Sequence, residues 1–192
     1  MDRVIADPRT EPQLRERLVL LRDARDFASR ELGLPDNRSY RSFASLPREF
    51  VVWNVIAAPE FSTKPREWCF PVAGCVSYRG YFHESAAQRY AQRLRQRGDD
   101  VLVAGVPAYS TLGHFADPLL STMLRYDDVY VAGTIFHELA HQLLYVKDDP
   151  SFNESFASTV EQAGLQRWLA ARGRSDELQA WRKARQRERW QQ

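Results

Sequence analysis

His137, Glu138 and His141 stand together in the stretch "TIFHELAHQLL". On a helix, side chains four positions apart stack on one face. Two imidazoles at that spacing can both reach one tetrahedral Zn2+ at about 2.0–2.1 Å. Glu138, beside the first of them, lies close enough to a metal-activated water to take its proton. That is the chemistry of His-Glu-x-x-His: two ligands and one carboxylate that is not a ligand. Glu138 is the only charged residue in this stretch, as suits a buried active-site helix, and buried histidines need polar partners. The alternative is a pair of helix histidines satisfied within the core.

A catalytic zinc takes a third protein ligand and keeps one position open. A histidine six residues after His141 is excluded, because Lys147 stands there. His83, His114 and Glu154 are the remaining sources. Glu154 has a competing role in "SFNESFAS", where Ser151 and Glu154 spell an S-x-x-E capping box. Asp149-Pro150 offers a rival start to the same helix, with proline at its first position, and that start leaves Glu154 free. Ser158 and Glu161, four and seven residues after Glu154, share its helix face. Either can hold a ligand histidine through its second ring nitrogen; a solvent-facing Glu161 is the alternative. A tetrahedral intermediate also needs an oxyanion donor. Tyr109 and His114 in "PAYSTLGHF" are the candidates, against a packed aromatic and a loop histidine, and the same stretch suits an edge strand that pairs with an extended peptide.

These residues need elements to hold them. Leu14, Leu18, Leu21, Ala28 and Leu32 recur at helical spacing and predict a helix over 11–33, stopped by Gly33-Leu34-Pro35. "EFVVWNVIAAPEF", bounded by Pro47 and Pro59, predicts a strand, and "CFPVAGCVSYRGYF" a second extended region bent at Gly74 or Gly80. A helix over 84–97 ends at Gly98; a strand follows that turns near Gly105 or Pro107, and "DPLLSTML" reads as a short helical turn. Asp127 or Asp128 caps a helix reaching Val146. Loop "KDDP" leads to a helix over 151–172, and residues from about 175 to 192 form a basic terminal helix. Helix, strands, helix, strand, helices is an α+β order rather than an alternating one. We expect one domain over 1–192, with helical termini and a small mixed or antiparallel sheet packed on the histidine-bearing helix and the glutamate-bearing helix after it.

Bulk properties narrow the partners. The 192 residues are 44% hydrophobic and 27% charged, as in an ordinary globular chain, and a net charge of +2 gives no field that points to nucleic acid. Eight basic residues from Arg167 to Arg189 face only Asp176, Glu177 and Glu188, and read as the solvated face of a terminal helix. No stretch approaches the roughly 18 apolar residues of a membrane span, and "MDRVIADPRTEP" lacks the apolar centre of a signal peptide. Cys69 and Cys75 fit neither CxxC nor a usual zinc spacing. A small-loop disulfide in an oxidising compartment and two buried thiols are both open.

"HELAHQ" followed by "FNESFASTVE" resembles the gluzincin metallopeptidases, whose aminopeptidase members carry HELAHQ and, on the next helix, NEGFA followed by an acidic residue. With "WCFPVAGCVSYRGYF" and "GVPAYSTLGHFADPLLSTML", the chain from "VIADP" to "RWL" is similar to a bacterial family of predicted aminopeptidases. The resemblance implies a zincin-like fold, Glu154 as third ligand with Asn153 before it, and zinc as cofactor. It also implies a bacterial envelope or periplasmic protein, with any membrane attachment through an anchor outside this sequence; a Cys69–Cys75 bond is compatible with that. Two departures stand out. Only twelve residues separate His141 from Glu154, fewer than in the better-known aminopeptidases, and no GxMEN-like segment is present to bind a free α-amine. The expected function is zinc-dependent peptide hydrolysis with Glu138 as general base and a peptide as substrate. The alternative is a zinc-containing binding module of the cell envelope that holds a peptide or partner without turnover.

Overall fold

A computed structural model of the chain describes residues 1–70, 74–108, 110–147 and 149–190. In chain order the elements are α1 (Asp2–Ala6), α2 (Pro12–Arg30), β1 (Phe43–Ala44), β2 (Val52–Pro59), β3 (Trp68–Phe70), β4 (Gly74–Val76) and β5 (Arg79–Tyr81). There follow α3 (Glu84–Arg95), β6 (Asp99–Val106), β7 (Leu119–Leu120), a 3-10 turn (Met123–Arg125), α4 (Asp128–Leu143), α5 (Pro150–Ala171) and α6 (Ser175–Trp190). They gather into two compact units, one of Met1–Ala44 with Ser110–Gln192 and one of Ser45–Tyr109.

The first unit is helical. α2 buries Leu18, Leu21, Ala24 and Ala28 on one face, the period-3.6 stripe that its sequence carries. α4 packs against α2, α5 and α6 and is apolar nearly all round: Val131, Ala132, Ile135, Phe136, Leu139 and Ala140 are all buried. The facing residues of α5 are Ala157, Gly164, Leu165, Trp168 and Leu169, with Trp168 edge-on to Phe136 at 6.4 Å. Contacts run in opposite senses along α4 and α5. Gly133 lies against Glu161 and Leu165, and His141 lies against Glu154.

Two boundaries differ from expectation. α4 stops at Leu143, not Val146, because the buried side chain of Asn153 takes over the Val146 backbone. Its Oδ1 accepts from Val146 N at 2.8 Å and its Nδ2 donates to Val146 O at 2.7 Å. "DPLLSTML" is not a single helical turn. Leu119 and Leu120 pair in parallel with Phe43 and Ala44, and only Met123–Arg125 is 3-10. A propensity reading cannot see a strand partner that far back in the chain.

The second unit holds a three-stranded antiparallel sheet in the order β5-β2-β6, with Val52 opposite Val106 and Pro59 opposite Asp99. The helix packed on this sheet is α3: Ala87, Ala91 and Leu94 meet Val55 and Ala57, the inward residues of a period-two strand. Gly105 lies within β6, where a Cβ would run into the Phe50 ring, so the strand continues past it and leaves at Pro107. β3 and β4 pair around a disulfide between Cys69 and Cys75.

Candidate metal centre

α4 opens on Asp127, whose side chain accepts from Tyr130 N at 2.8 Å. Two to four turns later it presents His137 and His141, whose Nε2 atoms lie 3.1 Å apart. α5 opens on Asp149, which accepts from Phe152 N at 2.9 Å, with Pro150 at its first position. The Asp149 cap fulfils the role that Ser151 and Glu154 would have shared, and Glu154 is turned to the histidines. Its Oε2 is 3.4 Å from His137 Nε2 and its Oε1 is 3.5 Å from His141 Nε2.

Three donors at these separations meet the demand of one ion. Ligands at about 2.0–2.1 Å around a tetrahedral zinc stand roughly 3.3–3.4 Å from one another, against the 3.1, 3.4 and 3.5 Å found here. Two imidazole nitrogens and one carboxylate are also the donor set that zinc accepts. Among the described residues this His137–His141–Glu154 group is the one set of three or more such side chains within metal-binding distance. Neither His83 nor His114 belongs to it.

Around the donors the environment is uneven. Glu161 is buried, and its Oε2 lies 3.2 Å from His137 Nδ1, which donates to it. Arg185 of α6 donates through Nη2 to the same carboxylate, at 2.9 Å to Oε2 and 3.2 Å to Oε1. His141 Nδ1 is buried and has no partner among the described residues. Burial pulls His137 down, but hydrogen bonds to Glu154 and Glu161 outweigh it and hold the imidazole up at about 9. The same bonds, from His137 and then His141, keep Glu154 far below the usual carboxylate range.

Glu138 is not one of the three donors. Burial lifts its carboxyl above the ordinary value, opposed by the nearby His137 and by a hydrogen bond from Ser110. Ser110 also neighbours the phenol of Tyr40, which is 2% exposed and whose amide donates to Asp117 O at 2.6 Å.

The other candidates are placed as follows. Asn153 binds backbone, as described above, rather than a histidine. Ser158 is half-buried on α5, while the partner of His137 is Glu161. His114 is exposed on the turn in which its amide donates to Thr111 O at 3.1 Å. Tyr109 lies outside the described residues. Ser110, Tyr40 and Arg185 carry no spacing signal toward the motif. Arg185 in particular belongs to the basic run read as a solvated face, yet it turns inward.

No curated protein and no solved structure matches the chain. A family model does, over residues 1–192, and its description is "Putative aminopeptidase". The chain belongs to that family.

Proposed function

We propose that the chain is a zinc-dependent peptide hydrolase of the zincin-like kind, with His137, His141 and Glu154 as ligands and Glu138 as general base. The observation that carries this reading is the convergence of three ligand-type atoms from two helices, with a half-buried fourth group, Glu138, one residue from the first ligand. The family description supports peptide-bond chemistry. When bound, zinc supplies Lewis acidity toward a water and toward the scissile carbonyl. Glu138 takes the proton of the attacking water and delivers it to the leaving amine, with Ser110 beside it favouring its ionised form. The developing oxyanion needs a further donor, for which Tyr109 and His114 are the candidates from sequence. Glu161 fixes the His137 ring so that Nε2 faces the other donors. The Cys69–Cys75 bond favours an oxidising compartment such as the bacterial periplasm.

The test is hydrolysis of a peptide library, with free and blocked N-termini, by the wild type and Glu138→Gln at equal zinc content. Glu138→Gln is expected to lose about a hundredfold or more in kcat with zinc retained, the scale of a lost general base. Full zinc-dependent hydrolysis by that variant would overturn the mechanism. A wild type that binds zinc and cuts no peptide would favour the binding module instead. Glu154→Ala binding zinc as tightly as the wild type would remove Glu154 from the ligand set.

A further inference from the structure

We propose that Arg185, on the terminal helix α6, is a positioning residue for the metal centre, acting through Glu161 on His137. The inference rests on the metal-site reading above, and adds a residue that neither the motif nor the resemblance contains.

Glu161 is 2% exposed. A buried carboxylate needs compensation on most of its lone pairs, and one hydrogen bond to an imidazole leaves the others unmet. Arg185 supplies the rest. Its Nη2 spans both carboxylate oxygens, at 2.9 and 3.2 Å. The charged, shared contact anchors the carboxylate where it stands, with Oε2 at 3.2 Å from His137 Nδ1. Fixing Nδ1 fixes the ring, and the opposite nitrogen, Nε2, is the one that meets His141 and Glu154. The order is Arg185 to Glu161 to His137 to the ligand face.

Two ring contacts also hold the guanidinium: it stands 5.6 Å from the centroid of the Tyr130 ring on α4 and 5.9 Å from that of Trp181 on its own helix. Gly133 leaves room for the Glu161 carboxylate, since a Cβ there would come within 3.0 Å of Oε1.

The experiment measures zinc affinity by chelator competition for the wild type, Arg185→Gln, Arg185→Lys, Glu161→Gln and the double variant Glu161→Gln/Arg185→Gln. Exposed Lys183→Ala on the same helix is the control. Arg185→Gln is expected to lose roughly tenfold in zinc affinity, the lower end of the effect of losing an outer partner. Arg185→Lys should recover part of that loss. In the Glu161→Gln background, Arg185→Gln should change affinity less than twofold, because its only route to the ligand is gone. In the zinc-loaded protein the His137 Nδ1–H proton resonance should move in Arg185→Gln and stay fixed in Lys183→Ala, which a merely destabilised helix would not produce. Unchanged zinc affinity in folded Arg185→Gln, or an undiminished loss in the Glu161→Gln background, would overturn the proposal. A wild type that binds no zinc would overturn both readings. A wild type that binds zinc without hydrolysing peptides would sink the hydrolase alone, and the affinity cycle would still decide Arg185.

Discussion

Three glutamates lie within reach of His137, and the structure gives each a different task through its surroundings. Glu154, 67% exposed at its side chain, meets both Nε2 atoms from outside. Glu161 is sealed under α6 and meets the opposite ring nitrogen. Glu138 is half-buried beside Ser110, and partial burial raises its proton affinity. The pH dependence of the metal-free protein follows. The His137 pKa is raised from 6.5 to about 9 on folding, so its contribution to stability is complete below about 6.5 and is lost as pH rises through about 9. Glu154 is shifted the other way, so its contribution is present above its ordinary value of 4.5 and is lost in acid. With chelator present, the melting temperature should therefore fall between pH 6.5 and 9.5, and the fall should flatten in Glu154→Gln. An equal slope in both proteins would show that His137 is not held by Glu154. The local part of this site was readable in advance, because helix geometry converts a four-residue spacing into a shared face. Arg185, 24 positions from Glu161, Ser110 and Tyr40 were not, because nothing short of the folded chain relates them to the motif.

At the scale of elements, two helix glycines set how closely α4 and α5 approach. A Cβ at Gly164 would stand 2.9 Å from Phe136 Cδ2 and 2.8 Å from Leu32 Cδ1. Phe136 is itself buried and edge-on to Trp168, so it has little room to give. Gly164→Ala should cost about 1–3 kcal/mol by overpacking, despite alanine's better helix propensity, as denaturant unfolding would measure. A neutral or stabilising substitution would mean that the helices are free to separate. The short link between these helices has its own fastener. Asn153→Ala removes both bonds to Val146 and should destabilise by about 1–3 kcal/mol, at roughly 0.5–1.5 kcal/mol for each bond lost. Helices α2, α3, α4 and α5 were legible from periodicity and caps, with ends shifted by a few residues. The β1–β7 pair was not, since two-residue strands have no period to detect.

At the scale of the molecule, the family match runs across both compact units, so the helical site and the sheet-bearing unit belong to one family pattern. Zinc should act on the unit that holds the ligands: at about a hundred times its dissociation constant it should add about 2.7 kcal/mol of stability. Reducing Cys69–Cys75 should instead loosen the second unit. Closing so short a loop is worth roughly 2–3 kcal/mol at 25 °C in the chain-entropy account. Hydrogen exchange of the oxidised and reduced protein would show whether the loss is confined to amides of Ser45–Tyr109. The division into units was not legible, because no linker composition marks Ala44 or Ser110.

That division also orders events during synthesis. The first unit is made from two separate stretches, and all of Ser45–Tyr109 is translated between them. The second unit draws its sheet and its covering helix from one continuous run, and so can assemble as it emerges. α2, with Leu18, Leu21 and Ala24 on its apolar face, must wait through that whole interval for α4. The ribosome therefore releases the ligands of the candidate centre after the whole second unit has emerged, and Arg185 arrives after every residue that it is proposed to steady.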